Sequence, residues 1–260
     1  MAHGTKRARP HKPSADEPST RGDDGGPSAV DDAAVHDIVA NELAMPLHGT
    51  PQLFYSGKRC SVKFVAARVP RLTQTLVDDR EYLSNFYPCI HGVTVGGRTF
   101  PTSEHAYQAL IWSNPVEPEP PDIAGLRATL VDAIAQSKTP NMAFFLSRFA
   151  STTINGTLSN ACHPHTYRPL RQFVNELYLK GLRRTHGSSV REFRIMLDCV
   201  HAKFAQNPDL AHRLLATGTD VLTEHTTSDS VWADAGDGSG RNWLGKCLML
   251  VRARLSVAAP

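Results

Sequence analysis

The chain reads as an α+β domain, predominantly helical, with a few short strands. Apolar residues recur at helical spacing in several segments between residues 103 and 255. The strand-like segments are short and lie mostly near the front of that region. No regular strand–helix alternation appears, which argues against a Rossmann sheet, and no internal repeat is visible.

Residues 1–50 are rich in Gly, Pro, Ser and Asp and poor in aromatics. Such a segment buries too little apolar surface to offset its ordering entropy, so a disordered arm is expected. Its tip is basic (Lys6, Arg7, Arg9, Lys12) and it then turns acidic (Asp23, Asp24, Asp31, Asp32). A solubilising tail is the plain reading of that pattern, and nuclear targeting or anion binding by the tip is the sharper one. The folded domain is expected over 51–260. Residues 53–56 and 61–69 carry β-branched and aromatic residues and are expected as strands. Val93, Val95 and Phe100 flank Gly96-Gly97, which predicts a hairpin over 92–100. Ser103 is expected to cap a helix running to about Trp112. Four prolines exclude helix from 113–121. Helices follow over 122–137, 141–149, from Pro169 to Tyr178, 190–204, and from an Asn207-Pro208 start to Ala216. Residues 151–168 read as a polar loop, 220–226 as a strand and 234–241 as a Gly/Asp loop, before a last helix from Asn242 to Leu255.

The 260 residues carry a formal net charge of +3, too small to imply a strongly basic surface. Cys60, Cys89, Cys162, Cys199 and Cys247 are widely spaced, odd in number and form no C-x-x-C. A disulfide framework or zinc site is therefore not expected, and a reducing compartment fits. No apolar run approaches the roughly 18 residues that cross a bilayer. The expected location is intracellular, cytoplasmic with the nucleus open, with no membrane partner and no metal or cofactor. The sequence does not fix an oligomeric state.

Three clusters place polar residues beside turn signals: 82–88, 101–108 and 222–246. Glu104 falls in the first turn of its helix, where amides and macrodipole favour an anion. A carboxylate there suits the positive charge that develops at a sugar C1 during glycoside cleavage. Asp229 and Glu224 flank a loop and offer further carboxylates for water or ribose hydroxyls. Trp232 suits stacking on a planar base, against the commoner role of a tryptophan as core. Gly238 and Gly240 end a glycine loop at a helix start, a ready anion site with Arg241 and Lys246 beside it. Cys162-His163-Pro164-His165 is spaced too tightly for one tetrahedral site and reads as loop. His105 reads as a structural histidine.

In order, these clusters resemble the NADAR, or YbiA-like, domain family. Phe54-Tyr55-Ser56, Leu83-Ser84-Asn85-Phe86, then Pro101, Thr102, Glu104, His105 and Gln108 follow the family pattern. Lys203-Phe204, Leu214 to Thr217, Glu224, Thr226, Asp229, Trp232, Gly240, Asn242, Leu244, Gly245, Leu248 and Met249 continue it. The resemblance spans about residues 54–256, with an expanded region near 113–190. It implies one α+β, mainly helical domain and metal-free hydrolysis of an N-glycosidic bond. The family's substrate classes are phosphoribosylated pyrimidine intermediates of riboflavin synthesis and ADP-ribose attached to guanine. By resemblance Glu104 is the leading catalytic carboxylate, Asp229 and Trp232 are second-choice site residues and Asn85 is a ligand contact; in an active N-glycosidase Asp229 would assist Glu104. With the loop reading added, the expected substrate contacts are Asn85, Trp232, Glu224, Gly240, Arg241 and Asn242. The expected partner is a small ribosylated molecule, with ADP-ribosylated nucleic acid left open. Ile111 stands where the family often has lysine, Ser188 where it often has tryptophan, and Ala233 where it has glycine. These departures motivate the alternative of an inactive ADP-ribose or nucleotide-binding module.

Overall fold

The computed structural model describes residues 29–42, 52–54, 78–113, 115, 118–151, 153–154, 157–158, 168–184 and 189–258. The predominantly helical α+β fold expected from the apolar periodicity is what these residues form. The helices are α1 Ala29–Glu42, α2 Ser103–Ser113, α3 Pro121–Ala135, α4 Pro140–Ser151, α5 Arg168–Leu179, α6 Ser189–Ala205, α7 Pro208–Leu215 and α8 Trp243–Ala258. A 3-10 helix covers Asp78–Leu83. The strands are β1 Gln52–Phe54, β2 Val93–Val95, β3 Arg98–Phe100, β4 Thr153–Ile154, β5 Thr157–Leu158 and β6 Leu222–Glu224.

Helix α2 is the centre of the packing. It lies against α3, α4 and α6, and α6 in turn packs on α8. Every residue from Thr102 to Ala109 is buried, polar ones included. Trp112 and Trp243, both fully buried, fill the space on either side. A helix start buried this way must satisfy its amides from protein groups. Thr102 does so: its Oγ1 accepts the His105 amide at 3.2 Å. The cap expected at Ser103 thus sits one residue earlier, and the Ser103 hydroxyl instead donates to the Asn85 carbonyl at 3.4 Å.

The predicted hairpin is present, with Val93 opposite Phe100 and φ of +60° and +78° at Gly96 and Gly97. Both central residues of such a two-residue turn take the left-handed conformation that glycine adopts without strain. Strand β1 pairs in parallel with β6, Phe54 opposite Glu224, which ties the front of the domain to a strand 170 positions later in register. The proline-rich stretch before α3 is anchored by Arg127. Its Nε and Nη2 donate to both Glu119 carboxylate oxygens at 2.6 and 2.7 Å, and its guanidinium lies 5.5 Å from the Trp112 ring centre.

Three expectations change. The arm expected to be disordered contains α1, because Val35 is fully buried and Ile38 and Val39 pack with it against the core. These few aliphatics on one face suffice where aromatics are lacking. The loop expected over 151–168 contains the small β4–β5 hairpin. Asn207 precedes α7, as expected, but its side chain makes no cap bond; it accepts from the His91 amide and donates to the Gly92 and Lys203 carbonyls. The expected strand over 61–69, the Cys162–His165 cluster and Ser188 lie outside the described residues. No helix among the described residues is long and apolar enough to cross a membrane.

Helix α8 reaches β6 through Gly245, where an added Cβ would lie 2.1 Å from the Leu222 carbonyl oxygen and 2.5 Å from the Asn242 amide. The strand carbonyl is backbone and has no room to yield. Gly245→Ala is expected to destabilise the fold by about 2–4 kcal/mol. A denaturant midpoint equal to the wild type would contradict this.

Candidate active site

Glu104 stands on the first turn of α2, 3% exposed. Its backbone amide donates to the Asn85 carbonyl at 2.9 Å. The Asn85 side-chain amide donates back to Glu104 Oε2, and Gln108, one turn along α2, donates to Oε1 at 2.7 Å. Two neutral donors therefore fix both carboxyl oxygens. The sequence suggested an anion here, because the helix start favours one. The structure reverses that: the Glu104 pKa is pushed up to about 8, first by burial and then by the Glu224 and Asp229 carboxylates. The two amide hydrogen bonds pull the other way and lose. Dipole stabilisation is worth about 1 kcal/mol, while removing a carboxylate from water costs several.

The same electrostatics place three of the expected acids together, since Glu224 and Asp229 both act on Glu104. Glu224 ends β6 and is 4% exposed. Its amide donates to Asn242 Oδ1 at 3.0 Å, and Asn242 Nδ2 donates to the Leu222 carbonyl at 2.8 Å. One asparagine amide thus mimics a third strand along β6. Its own backbone is left-handed, φ +52°, a conformation asparagine tolerates better than most residues. Asn242 fixes Glu224 in place, a role its motif position alone did not reveal.

Asp229 is half-buried. Its Oδ1 accepts the Val231 and Trp232 amides, both at 2.8 Å. Its Oδ2 makes no hydrogen bond among the described residues. Trp232, half-buried, meets the Tyr107 ring edge-on at 5.4 Å and the Trp243 ring at 5.7 Å. The indole is therefore packed between rings while part of it stays accessible.

The glycine loop is used differently from the anion cradle the sequence suggested. The amides of Gly238 and Gly240 both donate to the Asp234 carbonyl, at 2.9 and 3.0 Å, and that of Arg241 donates to the Ser230 carbonyl at 2.8 Å. Donors bonded inward in this way are not presented to a phosphate. Gly240 is needed for close approach instead, since a Cβ there would lie 2.3 Å from the Ala233 oxygen. His225 and Asp234, both buried, brace the loop through a 2.7 Å contact from Nδ1 to Oδ2. His105 donates from Nε2 to the Ser137 carbonyl at 3.1 Å and accepts at Nδ1 from the Thr102 hydroxyl at 2.8 Å, the tautomer that satisfies both. Burial lowers its pKa, so it stays a neutral structural group.

Cys89, Cys199 and Cys247 are buried free thiols, and burial pushes all three up, away from the thiolate a nucleophile requires. Among the described residues no group of three His, Cys, Asp or Glu could hold a metal ion. The sequence reading named Lys203 only as a match to the family pattern and gave it no role in this region. The signal was present: Met196, Val200, Lys203 and Phe204 share one helical face, and a lysine on an apolar stripe marks a buried cation.

A carboxyl whose folded pKa is raised binds a proton that the unfolded chain has released. Between the unfolded value near 4.5 and the folded value of about 8, stability therefore falls as pH rises. Glu104→Gln removes that loss. Its melting temperature is expected to match the wild type near pH 4.5 and to exceed it increasingly up to pH 8, then level off. Parallel melting curves across that range would show that Glu104 is an ordinary carboxylate.

A family profile described as the NADAR domain matches residues 73–256. A riboflavin biosynthesis protein of Vibrio vulnificus is 32% identical over 183 residues, which cover 70% of this chain. The chain spans only 38% of that protein's length. The protein named N-glycosidase YbiA from Escherichia coli is 30% identical over 180 residues, covering 69% of this chain and 84% of YbiA. An N-glycosidase of Nostoc punctiforme is 27% identical over 172 residues, covering 66% of this chain and 83% of that protein. The NMR structure of E. coli YbiA compares at a TM-score of 0.45 and 24% identity, covering 82% of this chain and 95% of that one. The chain belongs to the NADAR domain family.

Proposed function

We propose that this protein is an N-glycosidase, hydrolysing the bond between a base or amine nitrogen and C1 of a ribose phosphate or ADP-ribose. The observation that carries the reading is the carboxyl cluster: a buried Glu104 with its pKa pushed up to about 8 beside Asp229, whose Oδ2 makes no hydrogen bond among the described residues. Neighbouring carboxyls in environments that differ this much divide into an acid and a base. The names of the relatives support the same reaction class.

At neutral pH Glu104 holds a proton. It donates that proton to the departing nitrogen as the C1–N bond breaks and the bonding pair leaves with the base. The sugar passes through an oxocarbenium-like state, which the negative charges of Asp229 and Glu224 stabilise. Water adds to C1 and gives its proton to Asp229 Oδ2. Asp229 then gives its proton to solvent and Glu104 takes one back from solvent, which restores both groups. Trp232 covers the base or ribose. Arg241, half-buried at the end of the glycine loop, is the proposed phosphate contact, through its side chain rather than the loop amides. The protein is proposed to work inside the cell, where its buried free thiols stay reduced.

The substrate panel that tests this is the phosphoribosylated aminopyrimidine of riboflavin synthesis and guanine-ADP-ribosylated DNA, with released products followed by mass spectrometry. The first is motivated by the name of the Vibrio relative. Wild-type protein is expected to release free base or amine from at least one of them. Glu104→Gln should lower kcat by at least about 100-fold. Full turnover by that variant would refute the assignment of Glu104. Binding of ADP-ribose by the wild type with no cleavage of either substrate would instead identify a binding module.

A further inference from the structure

Lys203 lies on α6, 1% exposed, with no carboxylate partner among the described residues. Its Nζ donates to the Tyr82 carbonyl at 2.6 Å and the Ser84 carbonyl at 2.7 Å. The Phe204 and Tyr87 rings lie 5.0 and 5.6 Å from it. The Tyr82 carbonyl is at the end of the 3-10 helix, where backbone oxygens lack helical partners, and the Ser84 carbonyl just after it also accepts the Tyr87 amide at 3.1 Å. A buried lysine in that position is costly to keep, and burial lowers its pKa to about 7. A methionine would fill the same space at no such penalty, so the amine has a task beyond filling space.

Its placement indicates the task. The Ser84 carbonyl belongs to the peptide plane just before Asn85, and Lys203 fixes that plane. The Asn85 carbonyl belongs to the plane just after, and the Glu104 amide fixes that one at 2.9 Å. With both planes held, the direction of the Asn85 Cα–Cβ bond is set, and from there its side-chain amide reaches Glu104 Oε2. We infer that Lys203 is a positioning residue for the acid: it aims Asn85 at Glu104 through the two carbonyls it holds. The inference rests on the proposal that Glu104 is the catalytic acid.

The test reads Glu104 directly. Carboxyl-carbon NMR of protein labelled with 13C at glutamate side chains follows its titration, the Glu104 signal being the one missing from Glu104→Gln. This needs no substrate, so it is readable even if the chain cleaves nothing. The Asn85 bond favours the carboxylate, against burial and the Glu224 and Asp229 charges. Losing that bond therefore moves the midpoint upward, by about one pH unit. Lys203→Met is expected to shift the midpoint upward as Asn85→Ala does, and the double variant no further. On a cleaved substrate, Lys203→Met should lower kcat at neutral pH by about tenfold with KM within about twofold. Lys203→Gln, which keeps one donor, should fall between; it serves if Lys203→Met does not fold. An unshifted midpoint in a folded Lys203 variant would overturn the inference. Additive shifts in the double variant would do the same, because they would mean that Lys203 acts on Glu104 by its charge and not through Asn85.

Discussion

A carboxyl group shut away from water at the start of the central helix is the constraint on which the rest depends. Helix α2 packs against three other helices, so its first turn is buried, and Glu104 with it. Burial alone would make the group an inert neutral acid. Asn85 and Gln108 hold its two oxygens, while Glu224 and Asp229 keep negative charge in front of it. Each of these neighbours has its own support: Lys203 beneath the Asn85 segment, Asn242 along β6, and the Val231 and Trp232 amides on Asp229. The helical scaffold supplies rigidity, and the short strands and turns bring the remaining groups to one place.

Such a cluster is poor for stability. A buried carboxyl is held protonated beside two further acidic groups, and a buried lysine lies behind the segment that carries Asn85. Proteins accept unfavourable electrostatics of this kind where chemistry uses it. The surrounding core compensates. Trp232, Trp243 and Phe193 meet edge-on in series, and Tyr107 closes the row against Trp232. Gly240 and Gly245 let loop and helix backbones approach more closely than any side chain would allow.

Much of this was legible in the sequence. The helix periods placed α2 to α8 with small errors at the ends, and the Gly96-Gly97 turn announced its hairpin. Glu104, Glu224 and Asp229 were singled out from their local settings, and the structure brings all three together. What escaped depends on distant neighbours. The dipole that favours an anionic Glu104 is visible locally, but burial and two carboxylates from beyond residue 220 are not. The glycine loop resembled an anion cradle because its internal hydrogen bonds cannot be read from spacing. Asn242 and Asn207 looked like a ligand contact and a cap, yet both brace backbone segments far away in sequence. Helix α1 was hidden by the composition around it, since the aliphatics that bury it are few.

The central claim is that Glu104 acts as a proton donor, and the pH dependence of kcat/KM on a cleaved substrate tests it most directly. With Glu104 as the acid, the rate is high below about pH 8 and falls as pH rises through that value, as the Glu104 proton is lost. A rate that instead climbs through pH 8 would mean that the carboxylate form of Glu104 does the chemistry and that it is not the proton donor.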